Sequence, residues 1–148
     1  MSNATLPIGD VGDVIEGPSL SITRESIRQF AEASLDYNPL HLDDNYMEGS
    51  FGKTRFGGII MHGMMNFGLL TRMMTDWAFT RGAVHRRLET RWHRPVKPGD
   101  VITPRATIAR VTTTRKGKWI TFSVEMRNQR SELIATGEAL AEVPAAGG

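Results

Sequence analysis

Met61-His62-Gly63-Met64-Met65-Asn66-Phe67-Gly68-Leu69-Leu70-Thr71-Arg72-Met73-Met74-Thr75-Asp76-Trp77-Ala78-Phe79 reads as one long helix with almost no polar face. Met61, Met64, Met65, Phe67, Leu69, Leu70, Met73, Met74 and Trp77 cover most of its circumference. A helix that is apolar nearly all round must be buried. Gly63 and Gly68 allow other backbone to approach closely. The rest of the chain has to supply the surface that hides it.

That surface follows directly. After Arg81-Gly82 the pattern turns to strands. Residues 84–96 form one candidate strand, closed by Pro95, Pro98 and Gly99. Val101 to Thr114 is a second, with Pro104 suggesting a sheet edge or bulge. Arg115-Lys116-Gly117-Lys118 turns the chain. Ile120, Phe122, Val124 and Met126 then alternate with Thr121, Ser123, Glu125 and Arg127, the pattern of a half-buried strand. After a turn at 128–131, Leu133 to Val143 makes the last strand, with Leu133, Ala135, Gly137, Ala139 and Ala141 on one face. Helices first and antiparallel strands afterwards make an α+β fold. The economical packing wraps the concave face of the sheet around helix 61–79.

Ahead of that helix, residues 7–16 read as a lead-in loop, and Leu20 and Ile22 as a short strand. Thr23 is the expected N-cap of a helix over 24–34, with Glu25 in its first turn. Ile27, Phe30, Ala31 and Ser34 hold i, i+3, i+4, i+7 spacing. The helix delivers the chain to Asp36-Tyr37-Asn38-Pro39-Leu40-His41. Pro39 removes a donor and turns Asn38 away from helix, so this is a turn. A carboxylate and an imidazole on one rigid turn can share a proton-transfer task. Asp43 or Asp44 caps one further helical turn through Glu48. Residues 49–58 carry four glycines and read as a loop.

Composition narrows the classes. The chain has 148 residues, enough for one domain with a core, placed here as 1–148 with an ordered part at about 7–143. A net charge of +2 argues against a polyanion-wrapping surface. The absence of cysteine removes disulfides, thiol nucleophiles and cysteine-bound metal. The first residues form no signal-peptide pattern, and the longest apolar stretch is too short and too interrupted for a membrane span. The expectation is a soluble cytoplasmic protein with a disordered tail at 144–148.

Layout and motifs together resemble the MaoC-like (R)-specific enoyl-CoA hydratase and 3-hydroxyacyl thioester dehydratase family, which has the hot-dog fold. The resemblance spans roughly residues 7–143. It rests chiefly on Asp36-Tyr37-Asn38-Pro39-Leu40-His41-Leu42-Asp43 and on Ile60-Met61-His62-Gly63-Met64. Arg94-Pro95-Val96-Lys97-Pro98-Gly99-Asp100, Asn128-Gln129 and Gly137-Glu138-Ala139 add to it. The resemblance implies Asp36 and His41 as the catalytic pair, and the Gly63 amide as the receiver of the thioester oxygen. It also implies Thr71 as a hydroxyl supporting the catalytic loop, and a dimer joined through edge strands. Leu35 and Ser131 depart from it, standing where glycine is usual.

Such a site adds water to a trans-2-enoyl thioester, giving an (R)-3-hydroxyacyl thioester, or removes it. Asn38 supports the loop through its own backbone. Coenzyme A enters only as part of the substrate, no resident cofactor is expected, and an acyl carrier protein is an alternative carrier. Arg86, Arg91, Arg94 and Lys97 are candidates for the coenzyme A phosphates, although such a cluster is usually a solvated face. Metal is not expected, since no second histidine stands near Asp36 and His41 in the chain. His62 reads as structural, and His85 and His93 as packing or surface residues. Trp77, Trp92, Phe67 and Tyr46 are candidates for shortening the acyl pocket. The competing readings are a hot-dog thioesterase and a non-catalytic acyl-CoA-binding subunit. The first usually keeps its carboxylate on the central helix, where this chain offers only Asp76 near the far end.

Overall fold

The computed structural model describes residues 5–49 and 55–145. Parts of the glycine-rich stretch 49–58 and of the tail 144–148 lie outside the described residues. Six strands form an antiparallel sheet in the order β1 (Val14–Glu16), β4 (Val101–Thr114), β5 (Gly117–Arg127), β6 (Leu133–Pro144), β3 (Val84–Trp92), with β2 (Leu20–Ser21) also on β4. The long helix, α4 (Gly63–Phe79), packs on one face of it. Among the described residues no helix is long and apolar enough to cross a membrane.

The expected alternation in β5 holds. Ile120, Phe122, Val124 and Met126 are buried against Leu70, Met73, Met74 and Trp77 of α4 in one core. Trp77 meets Phe122 edge-on at 4.9 Å between ring centres. The helix departs from its reading on one side. It buries Leu70, Met73, Met74, Trp77 and Ala78, yet Met64 is 54 % and Phe79 87 % exposed. A sheet curved around a helix covers most of its circumference and leaves one stripe uncovered.

Four further details differ from the sequence reading. The lead-in loop contains β1, paired with β4 through Val14–Thr107, Ile15–Ala106 and Glu16–Arg105. Three residues are too few for periodicity to show. Strand β3 stops at Trp92, short of the expected residue 96. Pro104 lies between the pairings of β1 and β2 on the outer side of β4, where its carbonyl accepts from Gly17 N–H at 3.0 Å. The β4 irregularity falls instead between Ile108 and Arg110. In β6, a register shift opposite Met126 and Arg127 puts Ile134 in the core, where the alternation places Leu133.

Helix α1 (Arg24–Ser34) begins as read. Thr23 Oγ1 accepts from Ser26 N–H, and Ser26 Oγ accepts from Thr23 N–H, closing a capping box. It ends at Leu35, in the left-handed region at φ 61°. Ser131 has φ 61° as well, and these are the two non-glycine residues with positive φ among those described. Both are positions where the resemblance expects glycine, which adopts this backbone without a Cβ penalty.

Candidate active site

The Asp36–His41 turn is a short helix, α2 (Pro39–Leu42), where the sequence suggested a plain turn. Pro39 sits in its first turn, where the lost donor has no partner anyway. Asn38 is the N-cap, its Oδ1 accepting from Leu40 N–H at 3.1 Å. Asp36 Oδ1 accepts from Asn38 N–H at 3.2 Å. Asp43 caps α3 (Asp44–Glu48) by accepting from Tyr46 N–H, as expected. The turn is thus held by its own side chains.

His41 is buried, and its Nδ1 lies 2.7 Å from the Ile60 carbonyl oxygen. A carbonyl only accepts, so Nδ1 carries the hydrogen and Nε2 presents a lone pair. Burial pushes the imidazole below its ordinary value of 6.5. His62 acts in the same direction, while the Ile60 carbonyl and Asp36 work against it. His41 is therefore a neutral base at neutral pH.

His62 is a structural histidine at the start of α4, as read, but the sequence did not show what it touches. It is 1 % exposed, and its ring stacks on His41 with centres 3.7 Å apart and planes 24° from parallel. Phe30 of α1 lies against its ring at 4.9 Å. Its Nε2 donates to the Asp36 backbone carbonyl at 3.0 Å, and its Nδ1 is buried without a hydrogen-bond partner among the described residues. His62 thus ties the start of α4 to the Asp36 turn and forms the floor under His41. Thr71, expected to support this loop, makes no side-chain hydrogen bond among the described residues. It lies more than two turns further along α4, and His62 does the work instead. The only sequence signal was the histidine directly before Gly63.

A metal reading gains its second histidine here. Asp36, His41 and His62 each bring a ligand-type atom within 4.8 Å of the others. The premise of the metal-free expectation fails, but the ring geometry still opposes an ion. Lone pairs of stacked imidazoles run side by side in separate planes. A shared ion needs both aimed at one centre ~2.0–2.1 Å from each nitrogen.

A cavity of about 230 Å³ opens beside His41, lined also by Gly63, Asn66, Trp92, His93 and Arg94. Gly63 is the first residue of α4, and its N-cap His62 makes no side-chain capping bond. Met65 N–H reaches His62 O at 3.1 Å, while Gly63 and Met64 hold the first-turn positions whose amides have no intrahelical partner. A Cβ on Gly63 would stand 2.8 Å from Trp92 Cε2, so glycine is needed for packing as well as for access. Of the four suggested coenzyme A residues, Arg94 alone lines this cavity. Arg86 is bound to Glu142 at 2.8 Å, and Arg94 also meets Glu132 at 3.3 Å. Of the four pocket-shortening candidates, Trp92 alone lines it; Trp77 is in the core. His93, read as a packing or surface residue, is in the cavity wall and bonds Thr136 Oγ1 at 2.6 Å. Asp76 is exposed on α4, faces Arg72 at 3.7 Å and does not line this cavity.

The family model of the MaoC-like domain matches residues 9–130. The chain belongs to the MaoC-like family. An (R)-specific enoyl-CoA hydratase of Rhodospirillum rubrum is 30 % identical over 139 residues, covering 91 % of this chain and 92 % of that protein. The unliganded R-hydratase structure of Pseudomonas aeruginosa superposes with a TM-score of 0.75 at 27 % identity, covering 91 % of this chain and 82 % of that one. The ChsH1–ChsH2 complex of Mycobacterium tuberculosis contains a chain with a TM-score of 0.73 at 25 % identity, covering 92 % and 99 %. This MaoC-like chain has the hot-dog fold, an antiparallel sheet wrapped on one long helix.

Proposed function

We propose that this MaoC-like chain is a hydro-lyase that interconverts trans-2-enoyl-CoA and (R)-3-hydroxyacyl-CoA, with Asp36 and His41 as its reacting side chains. The observation that carries this is the His41 tautomer. Nδ1–H is fixed on Ile60 O, which leaves Nε2 as the basic nitrogen, and the ring has a nitrogen within 4.8 Å of an Asp36 carboxylate oxygen, near the uncapped start of α4. The names of the similar proteins support the same reading.

The step balances without a co-reactant. Water held between Asp36 and His41 loses a proton to Nε2 as its oxygen bonds to C3. The C2–C3 π electrons move onto the thioester oxygen, making an enolate. The Gly63 amide and the positive end of α4 receive that charge. One such donor is worth roughly 3–4 kcal/mol of transition-state stabilisation. The imidazolium then holds the proton that C2 needs, with the Asp36 carboxylate beside it. Dehydration runs the same steps backwards. Coenzyme A enters as part of the substrate, and the chemistry requires no resident cofactor.

The exposed position of Asp76 favours this reading over a thioesterase, which would need a carboxylate on α4 facing the thioester. The sheet supports a partner: among the described residues β3 pairs only with β6, which leaves its outer edge open. A second copy adding its own β3 makes a homodimer. The ChsH1–ChsH2 complex supports a mixed pair as the second reading. Cytoplasmic fatty-acid metabolism is the setting this function suits.

The test is loss of the ultraviolet absorbance of conjugated enoyl-CoAs of increasing chain length, with thiol release followed in parallel. Absorbance loss without free thiol, giving the (R)-alcohol, is the expected result. Asp36→Asn and His41→Ala should each lower turnover by ~10²–10⁴-fold while acyl-CoA still binds. Thiol release, or full turnover in both variants, overturns the reading. Light scattering decides the assembly, with a lone monomer counting against either pair.

A further inference from the structure

Asn66 is a buried polar side chain in the cavity wall that the steps above leave unused. It is 4 % exposed, it lines the cavity with His41 and Gly63, and its Oδ1 has no hydrogen-bond partner among the described residues. A carboxamide offers two donor hydrogens and two acceptor lone pairs, and buried ones are ordinarily met. No hydrogen bond to a described residue holds this one in place. An amide so placed suits a ligand better than it suits the core.

Its direction follows from helix geometry. Asn66 stands three positions after Gly63 in α4, so both lie on one face. Helical side chains lean toward the N-terminus and cover the preceding turn. The Asn66 amide therefore leans over Gly63, which has no side chain in its way. An enolate oxygen accepts more than one hydrogen bond, and oxyanion sites commonly combine backbone and Asn donors. The Gly63 amide supplies one.

We propose that Asn66 is the second oxyanion donor, its Nδ2–H reaching the thioester oxygen beside the Gly63 amide. The two ends of the carboxamide are nearly alike in shape, and its terminal torsion turns easily, so nitrogen can face the cavity. The inference rests on the hydro-lyase reading for the reaction it accelerates. Polarising a bound thioester carbonyl is independent of what reaction follows.

The experiment compares wild type with Asn66→Leu, Asn66→Asp and Asn66→Thr. Steady-state kinetics use crotonyl-CoA, and the red shift of bound 2,4-hexadienoyl-CoA reports carbonyl polarisation. Leu and Asp lack the donor, so kcat falls ~10–10³-fold with KM within about threefold, and the red shift shrinks. Thr keeps a donor and recovers part of both, which also serves if Leu fails to fold. An unchanged kcat and red shift in a folded Leu or Asp variant overturns the proposal. So does a kcat loss that follows the melting temperature while the red shift stays whole. If the wild type turns over no enoyl-CoA yet shows a red shift that depends on Asn66, this assignment stands and the hydro-lyase reading falls.

Discussion

Gly63→Ala tests whether the start of α4 works at its observed position. The added Cβ would lie 2.8, 2.9 and 3.1 Å from Trp92 Cε2, Cζ2 and Cδ2. Carbon atoms in contact prefer ~3.5–4.0 Å, so the indole or the helix start must yield by about 0.7 Å. Overpacking of this kind costs ~1–3 kcal/mol. Alanine returns at most about 1 kcal/mol of helix propensity. A net loss of ~0–3 kcal/mol follows, too small to unfold the domain. Activity should suffer more, because a misplacement approaching 1 Å can cost ~10²-fold. The assay is a double-mutant cycle with Trp92→Val, reading kcat and thermal melting for all four proteins. In the wild-type background Gly63→Ala should lower kcat ~10–100-fold; beside Trp92→Val the same change should cost under about threefold. Equal losses in both backgrounds would show that the indole clash is not the cause. No loss in the wild-type background would refute the requirement for glycine.

Four other outcomes follow from the structure. His41 is held below 6.5 chiefly by burial, so activity should stay level above that pH and fall only as pH drops through the depressed value. His62→Gln keeps a donor for Asp36 O but removes the stacked ring, so the acid limb of kcat/KM should move up toward 6.5; a limb that stays put refutes the coupling. The sign for stability agrees. The unfolded chain takes up protons at His41 and at His85, also lowered by burial, before the folded one does. Stability is thus full above about 6.5 and declines as pH falls below it, and urea midpoints across pH 5–8 should record the decline. In Gly137→Ala the Cβ would stand 1.8 Å from Glu89 O, in the β6–β3 pairing, so melting should fall by ~6 °C or more; an unchanged melt would mean β3 is not held there. Leu35→Gly relieves a left-handed residue that is itself exposed and should raise stability by about 1 kcal/mol, or ~2–4 °C, with an unchanged or lower melting temperature counting against strain at that cap.

The α+β layout, α1 with its Thr23 cap, and the alternation of β5 were readable in the chain because each depends on contacts a few positions apart. Asp36, Asn38 and His41 belong to the same class. One turn holds all three, and the bonds accepted by Asp36 Oδ1 and Asn38 Oδ1 span only two positions. The tertiary structure decided the rest. His62 meets Asp36 O across 26 positions, and no local pattern marks a residue whose partner arrives from another element. Strand β3 pairs with β6 rather than β4, since pairing follows how the sheet closes around α4, and each strand's own alternation is blind to that. The exposed stripe of α4, the Trp92 indole over Gly63 and the unmet amide of Asn66 have the same origin. A sequence records which side chains are apolar or polar, but which of them face one another is set when the sheet curls around its helix.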